Sequence, residues 1–309
     1  MSEIPVLLYR TILLRPYVFV FLAVYLAAAS YHLGWKRALI FVPLGYSLAW
    51  MSEFCSIHLG FPYGDYYYIP DTVGRELWVL GVPFMDSLSY VFLAYCSFSV
   101  AVFLLSPFAC SRGRAFILET HATRRSWQTL FLGALLFVLL DIIIDPVALK
   151  GHRWFLGQIY GYKKVGIYFG IPLSNFGGWL LVGLIMVYAL QRLDHLVVLE
   201  PEKPSMLRQV PWISMLGPIL YIAILVFNLV VTFKIGEFLL GLVGCLAVIY
   251  PIILSLLFTI YKRTHLTQNL IERHIDEFPN SHAVDLLPFS LPNLTSGRQP
   301  GNIAPRDVQ

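Results

Sequence analysis

Four carboxylic acids lie inside long apolar stretches of this 309-residue sequence, where ionised side chains are unusual. They are Glu53, Asp86, Asp141 and Asp145. An ionised group near the centre of a membrane helix costs about 2.5–3.5 kcal/mol on insertion scales, so each one needs a partner or a function. A carboxyl group in a low-dielectric environment stays protonated at neutral pH and can then act as an acid. These four residues are therefore the first candidates for chemistry.

The composition identifies the surrounding environment as a lipid bilayer. Hydrophobic residues make up 58% of the chain and charged residues 13%, compared with about 25% charged residues in ordinary soluble domains. The formal net charge is only +4, and the basic residues lie between apolar runs rather than in a patch. This distribution argues against binding of nucleic acid. We therefore expect an integral membrane protein.

Seven apolar stretches reach the length of about 20 residues that a helix needs to cross a bilayer. We predict an all-α, polytopic bundle of seven transmembrane helices in a single domain, residues 1–275, followed by a loosely ordered polar tail, residues 276–309. The predicted spans are residues 17–33, 38–59, 83–106, 127–149, 172–191, 211–233 and 237–261.

The basic residues predict the orientation of these spans. Loops on the N-terminal side would hold eight Lys and Arg residues, and loops on the other side fourteen. The positive-inside rule then places the N-terminus outside and the C-terminus in the cytoplasm of a multi-pass cell-membrane protein. The first run could instead be a signal peptide, because Arg10 and Arg15 precede an apolar run that ends in Ala27-Ala28-Ala29.

The topology brings the unusual polar residues to one membrane face. They occur late in the second and fourth spans and at the starts of the third and fifth spans. Since successive spans run in opposite directions, these four positions lie in the same leaflet. The residues that converge there are Glu53, His58, Asp86, Asp141, Asp145 and Asn175.

Aromatic residues crowd the two loops at that face. The segment 60–68 reads G-F-P-Y-G-D-Y-Y-Y, and the second loop closes with Y-F-G-I-P-L-S-N-F-G-G-W at 168–179. Side chains in and beside these loops are candidates for binding a substrate. We predict this role for Asp65, Tyr66, Asn175, Trp179 and His58.

Each residue type also has a structural interpretation. Tyr and Trp form belts at membrane interfaces in many proteins, and the histidine late in the second span could be one such interfacial residue. The two aspartates of the fourth span are spaced i, i+4 and share a helix face, so they could pair with Lys150 or Arg153 at the helix end. Glu53 could be held by a basic or amide group.

Several cofactor-dependent classes lack their motifs here. The eight histidines show no H-x-x-H-H, H-x-x-x-H or H-E-x-x-H spacing, which argues against a di-iron or zinc site. The last span has no Lys before Lys262 that could carry a retinal Schiff base, and neither G-x-x-x-x-G-K nor G-x-G-x-x-G occurs. We expect no metal and no cofactor.

Acid catalysis on an apolar substrate is the remaining chemistry. A buried acid could protonate an alkene, and the resulting cation could be stabilised by aromatic faces and by a second, ionised carboxylate. Capture of the cation by water would complete a hydration, whereas capture by an internal double bond would complete a cyclisation. Both outcomes stay open at this point.

The sequence resembles the integral-membrane carotenoid biosynthesis proteins of the CruF type, over residues 38–260. Four segments in the same order carry the resemblance: E-F-C at 53–55 with G-F-P-Y-G-D-Y at 60–66, V-P-F-M-D-S at 82–87, D-I-I-I-D-P-V-A at 141–148, and the segment at 168–179 quoted above. The resemblance implies a carotenoid hydratase, which adds water across the terminal 1,2 double bond of an acyclic (ψ) end group such as those of lycopene and γ-carotene. It does not transfer a particular substrate.

The residue roles that we predict for this reaction come from their positions. Asp141 and Asp145 would share a proton, with one of them as the general acid, and Glu53 or Asp86 would position and deprotonate water. Asn175 and Tyr66 would orient these groups. The expected partners are a carotenoid or polyisoprenoid substrate in the bilayer, the lipid itself and other enzymes of the carotenoid pathway. The alternatives are a cyclase-like end-group enzyme and a transporter or lipid-binding protein that relays protons or binds a cation.

Overall fold

Long apolar helices dominate the computed structural model, which describes residues 3–111, 113–196, 212–264, 266–278, 281, 283 and 286. The helices in this part of the chain are α1 (Glu3–Leu14), α2 (Pro16–His32), α3 (Trp35–Leu59), α4 (Phe84–Leu105), α5 (His121–Arg124), α6 (Trp127–Ala148), α7 (Leu173–Leu196), α8 (Leu216–Lys234), α9 (Phe238–Thr264) and α10 (Gln268–Glu277). Six of them, α3, α4 and α6 to α9, are long and apolar enough to cross a membrane. The expected all-α polytopic membrane bundle is confirmed.

The first predicted span, residues 17–33, corresponds to α2, and an unpredicted helix, α1, precedes it at a sharp bend. α1 and α2 meet at an angle of 92°, and they reach the length and hydropathy of a span only together, so the described residues contain six candidate spans, or seven if this pair counts as one. Pro16 begins α2, where its missing N–H interrupts the hydrogen bonds of a continuous helix. Arg15 lies buried at the bend and binds the Glu76 carboxylate and the Leu156 carbonyl. The bend therefore contacts two loops that are far from it in the sequence.

Helix α4 lies at the centre of the bundle. It packs against α2, α3, α6 and α8, and aromatic side chains along it, among them Tyr90, Tyr95 and Phe98, are almost completely buried. A helix that is apolar on all sides is expected in such a position. The two helices that carry the other acids, α3 and α6, are thereby both packed against one central helix.

In the described part of the chain, three short antiparallel strand pairs that were not predicted from the sequence connect the helices. β1 (Tyr66–Tyr68) pairs with β6 (Tyr160–Tyr162), β2 (Trp78–Val79) with β3 (Val82–Pro83), and β4 (Phe108–Ser111) with β5 (Arg114–Ile117). In the first pair Tyr66 lies opposite Tyr162, and Tyr68 lies opposite Tyr160. This pairing joins the two aromatic loops of the carboxyl-rich face, as the strand preference of tyrosine allows.

The chain beyond the last span packs on the opposite face of the bundle. Ile271 of α10 and Ala283 contact Phe116 and Leu118 at the β4–β5 hairpin. Most of the predicted tail, residues 276–309, lies outside the described residues, as does residue 211 at the start of the predicted sixth span. The orientation inferred from the basic residues stays a prediction.

Candidate active site

Glu53 and Asp86 form the first of two bridged carboxyl pairs. Glu53 comes from α3 and Asp86 from the first turn of α4. The hydroxyl oxygen of Tyr68 lies 2.7 Å from Glu53 Oε2 and 2.6 Å from Asp86 Oδ2. The Ser87 hydroxyl also donates to Glu53 Oε2, at 3.2 Å. Two acids from adjacent helices are thus connected through one phenol.

Asp141 and Asp145 form the second pair, and Asn175 bridges them. The amide nitrogen Nδ2 of Asn175, in the first turn of α7, donates to Asp141 Oδ2 at 2.8 Å and to Asp145 Oδ2 at 2.9 Å. The Tyr162 hydroxyl also donates to Asp145 Oδ2, at 3.1 Å. Asp141 Oδ1 is buried and has no hydrogen-bond partner among the described residues. Asp145 therefore receives two donors, whereas Asp141 receives one, and this difference favours the proton residing on Asp141.

The two aromatic loops place their hydroxyl groups over these acids. Residues 62–63 fit closely against α7 at Gly178, where an added Cβ would lie 2.7 Å from the Pro62 carbonyl oxygen and 2.6 Å from the Tyr63 ring. The β1–β6 pairing then sets Tyr68 and Tyr162 on their carboxyl partners. Burial raises the pKa of both tyrosines well above the ordinary value. They therefore remain neutral hydrogen-bond donors.

Two adjoining cavities meet at the acids. A small polar cavity of about 40 Å³ is lined by Glu53, Asn175 and the loop tyrosines. A second cavity of about 110 Å³ is mainly apolar and extends between α2, α4, α6 and α8. The residues that line both cavities are Asp86, Tyr90, Asp145, Tyr160 and Trp179.

Aromatic rings form much of the apolar cavity wall. Trp179 stacks on Tyr90, with ring centroids 4.8 Å apart, next to the two acids that line both cavities. Tyr17 of α2 and Phe227 of α8 stack at 5.8 Å on the far side. Such a wall can accept an unsaturated hydrocarbon and present ring faces to a developing positive charge.

The structure brings most of the predicted site residues together and leaves two outside. Glu53, Asp86, Asp145, Tyr66, Asn175 and Trp179 line the polar cavity, and Asp141 lies directly behind Asp145 through the Asn175 bridge. His58 is exposed and contacts the Phe54 carbonyl through Nδ1 at 2.8 Å. Asp65 is also exposed and lies 3.8 Å from Lys163. Neither contributes to the lining of the cavities, so their predicted substrate-binding role has no support from the geometry.

The alternative pairing of the aspartates with the helix-end basic residues does not occur among the described residues. Lys150 Nζ lies 3.3 Å from Glu237 Oε1, and Arg153 binds the same carboxylate. Glu237 lies between α8 and α9, away from the acids of α6. Asp141 and Asp145 are left with the neutral donors described above.

Sequence reasoning missed several tyrosines of the site. Tyr68, Tyr90, Tyr160 and Tyr162 all line the polar cavity. One signal for Tyr68 was available, because residues two apart on a strand face the same side and Tyr66 is a predicted site residue. The partner strand 160–162 could not be assigned to Tyr66–Tyr68 from local sequence.

A second polar cluster, the arginine cluster, lies at the other ends of α6 and α7. We define it as His32, Glu119, Arg124, Arg125 and Asp194. Arg124 donates to Glu119 at 2.7 and 2.8 Å, to Asp194 Oδ1 at 3.1 Å and to the His32 carbonyl at 2.7 Å. Arg125 donates to Asp194 Oδ2 at 3.0 Å. Each acid of this cluster therefore has a guanidinium partner.

The described part of the chain contains no group of three His, Cys, Asp or Glu side chains that is placed to hold one metal ion.

The fold and the cavities together define a polytopic membrane protein with buried acids beside an apolar chamber. The model of a family described as carotenoid biosynthesis protein matches residues 14–251. The chain belongs to this family. No curated protein and no solved structure matches it.

Proposed function

We propose that this protein is a carotenoid hydratase that adds water across the terminal 1,2 double bond of an acyclic (ψ) end group. The observation that carries the proposal is the position of Asp86 and Asp145, which line both an apolar and a polar cavity. Hydration needs both environments at one point, because the alkene is apolar and the second reactant is water. Membership of the carotenoid biosynthesis family supports the choice of substrate class.

The apolar cavity would bind the end of the polyene. Its volume of about 110 Å³ is suited to a terminal isoprene unit, with the rest of the chain extending into the bilayer. The polar cavity, lined by tyrosine hydroxyls, would hold water against the other side of the same acids. The double bond would then lie between a proton donor and a nucleophile.

Asp145 would donate the proton, which the neighbouring Asp141 carboxyl group holds at rest and passes to it, while the Asn175 amide keeps the two groups together. The π electrons of the double bond take this proton to form a C2–H bond, and the positive charge falls on the tertiary carbon C1. The faces of Tyr90 and Trp179 stabilise that cation. Water then forms the C1–O bond and releases a proton to Asp86, and the cycle closes when this proton returns to Asp145. The net change is the addition of one water molecule.

A lycopene-producing host that expresses this protein tests the proposal through the mass of its pigments. We expect a product that is one water heavier than lycopene and carries a tertiary hydroxyl group. Asp145→Asn, at equal abundance in the membrane, should give none of it. An isomer of unchanged mass with a closed ring would instead identify a cyclase, and unaltered lycopene would contradict both enzymes.

A further inference from the structure

The hydroxyl group of Tyr68 makes two short contacts that its single hydrogen cannot satisfy alone. Its distances of 2.7 Å to Glu53 Oε2 and 2.6 Å to Asp86 Oδ2 are both within the range of O–H···O hydrogen bonds. A phenol can donate once, and an ionised carboxylate can only accept. The second contact therefore requires a hydrogen on one of the two carboxyl groups.

We propose that Glu53, Tyr68 and Asp86 form a proton relay in which the two carboxyl groups share one proton and Tyr68 is the bridging, positioning residue. In one arrangement the Glu53 carboxyl donates to the Tyr68 oxygen, and the Tyr68 hydroxyl donates to ionised Asp86. Moving each hydrogen across its own hydrogen bond gives the reverse arrangement, with Asp86 protonated and Glu53 ionised. The total number of protons and the net charge are the same in both.

The surroundings of Tyr68 favour a shared proton over two full charges. The ion pairs of Lys and Arg in the described part of the chain go to other acids, Glu76, Glu119, Asp194, Glu237, Asp65 and Glu277. Besides the two acids, the groups in the described part of the chain that contact Tyr68 by hydrogen bond or ring packing are neutral, among them the Tyr66 hydroxyl at 3.5 Å and the ring of Trp78. The charge of Arg15 reaches Asp86, but Arg15 is already paired with Glu76. Glu53 is buried and Asp86 is partly buried, so full charges on both of these adjacent carboxyl groups, without a counter-charge of their own, would be strongly unfavourable.

The relay gives Glu53 and Asp86 separate roles in the proposed hydration, on which this part of the inference rests. Asp86 lines both cavities, whereas Glu53 lines only the polar one. In the first arrangement Asp86 is ionised and can accept the proton of the attacking water, while Glu53 holds the shared proton away from the substrate. Tyr68 keeps Asp86 in this state by donating to it.

Infrared spectroscopy of the purified full-length protein, in H₂O and D₂O, tests the relay without any substrate. The C=O stretch of a protonated carboxyl group reports the shared proton. We expect Glu53→Gln and Asp86→Asn to abolish the same band, because the new amide supplies the hydrogen to Tyr68 and the remaining acid becomes ionised. Tyr68→Phe, which keeps the ring, should shift or remove this band. Tyr67 lies on the same strand and is half exposed. Tyr67→Phe is therefore the matched control and should leave the band unchanged.

The spectra overturn the relay if the two acid variants remove two different bands, or if neither removes one. In an active enzyme Tyr68→Phe should also lower kcat by at least tenfold with little change in KM, and Tyr67→Phe should not. Activity of Tyr68→Phe equal to the wild type would likewise contradict the relay. If the wild-type protein hydrates no carotenoid, the proposed function fails and the infrared result still decides the relay.

Discussion

The two polar clusters of this protein bury acids in the same apolar bundle but hold them in different ways. In the arginine cluster, Glu119 and Asp194 are bound by guanidinium groups, and Arg124 contacts both of them. In the carboxyl cluster, the residues bridged by Tyr68 and Asn175, the donors are neutral hydroxyl and amide groups.

This difference separates a structural role from a chemical one. A guanidinium group neutralises a carboxylate, so an acid held by arginine needs no proton and has none to give. A hydroxyl or amide group satisfies a hydrogen bond but carries no compensating charge, so neighbouring acids must retain protons. We therefore expect mutations in the arginine cluster to affect stability and mutations in the carboxyl cluster to affect activity.

The largest expected effect follows from removing Arg124. Arg124→Met leaves Glu119 and Asp194 buried without their shared counter-charge, and breaking a buried pair in this way costs about 3–5 kcal/mol. The measurement is the thermal unfolding temperature and the folded yield in detergent. Arg192→Gln, at an exposed arginine of α7, is the control and should stay close to the wild type. Equal stability of the Arg124 variant would remove the distinction between the clusters.

The carboxyl cluster should show the opposite pattern. Asp145→Asn keeps the size of the side chain and an oxygen for Asn175 and Tyr162, so folding should be little changed, whereas loss of a general acid lowers the rate by about 10²–10⁴-fold. Asp141→Asn should cost less activity, because Asp141 lines neither cavity and acts through Asp145. Hydrated product per unit of folded protein measures both variants. A larger loss for Asp141→Asn would assign the donor role to Asp141 instead.

Lowering the pH should destabilise the folded protein around the arginine cluster in two stages. Burial lowers the pKa of His274, whose Nδ1 contacts the Glu119 carbonyl at 2.8 Å. As the pH falls, His274 is therefore protonated in the unfolded chain before it is protonated in the folded protein. The stability of the fold then decreases as the pH drops below the unfolded pKa of about 6.5. His274→Asn should show a smaller loss of thermal stability between pH 7 and about pH 5.5, and an equal loss in both proteins would contradict this assignment.

The second stage involves Glu119. Burial alone would raise its pKa, but the interactions with Arg124 and His32 together outweigh burial and hold the pKa well below the ordinary value. This contribution to stability is present above the unfolded pKa of about 4.3 and is lost as the pH falls below it.

The smallest expected effect concerns the surface pair of Lys150 and Glu237. Both side chains are partly exposed, at 30% and 23%, and such pairs contribute about 0–1 kcal/mol. Lys150→Gln should therefore leave hydration unchanged and stability within about 1 kcal/mol. A marked loss of hydrated product would show that Lys150 acts on Asp145 after all.

The agreement between sequence and structure is closest for the helices. The predicted spans 83–106 and 127–149 correspond to Phe84–Leu105 and Trp127–Ala148. Apolar length is a local property, and the ends of these helices carry local signals, such as the Ser126 side chain that accepts a hydrogen bond from the Thr129 N–H. The predicted span 17–33 likewise corresponds to Pro16–His32, but the bend before it was not predicted, because the burial of Arg15 against Glu76 depends on a residue 61 positions away.

The candidate site was predictable only in part. Alternation of direction along the spans was sufficient to place Glu53, Asp86, Asp145 and Asn175 at one face. The exposure of His58 and Asp65 was not predictable, since both lie in the same polar and aromatic segment as residues that face inward.

Hydropathy and the direction of successive spans follow from the order of residues, so the membrane environment, the long apolar helices and the common face of the acids were predictable from the amino-acid sequence. The pairing of the acids became visible in the folded protein alone: Glu53 pairs with Asp86 through Tyr68, and Asp141 with Asp145 through Asn175. Each bridge joins segments far apart in the chain at hydrogen-bond distance. Such contacts depend on helix packing and on the β1–β6 register, which no local pattern encodes.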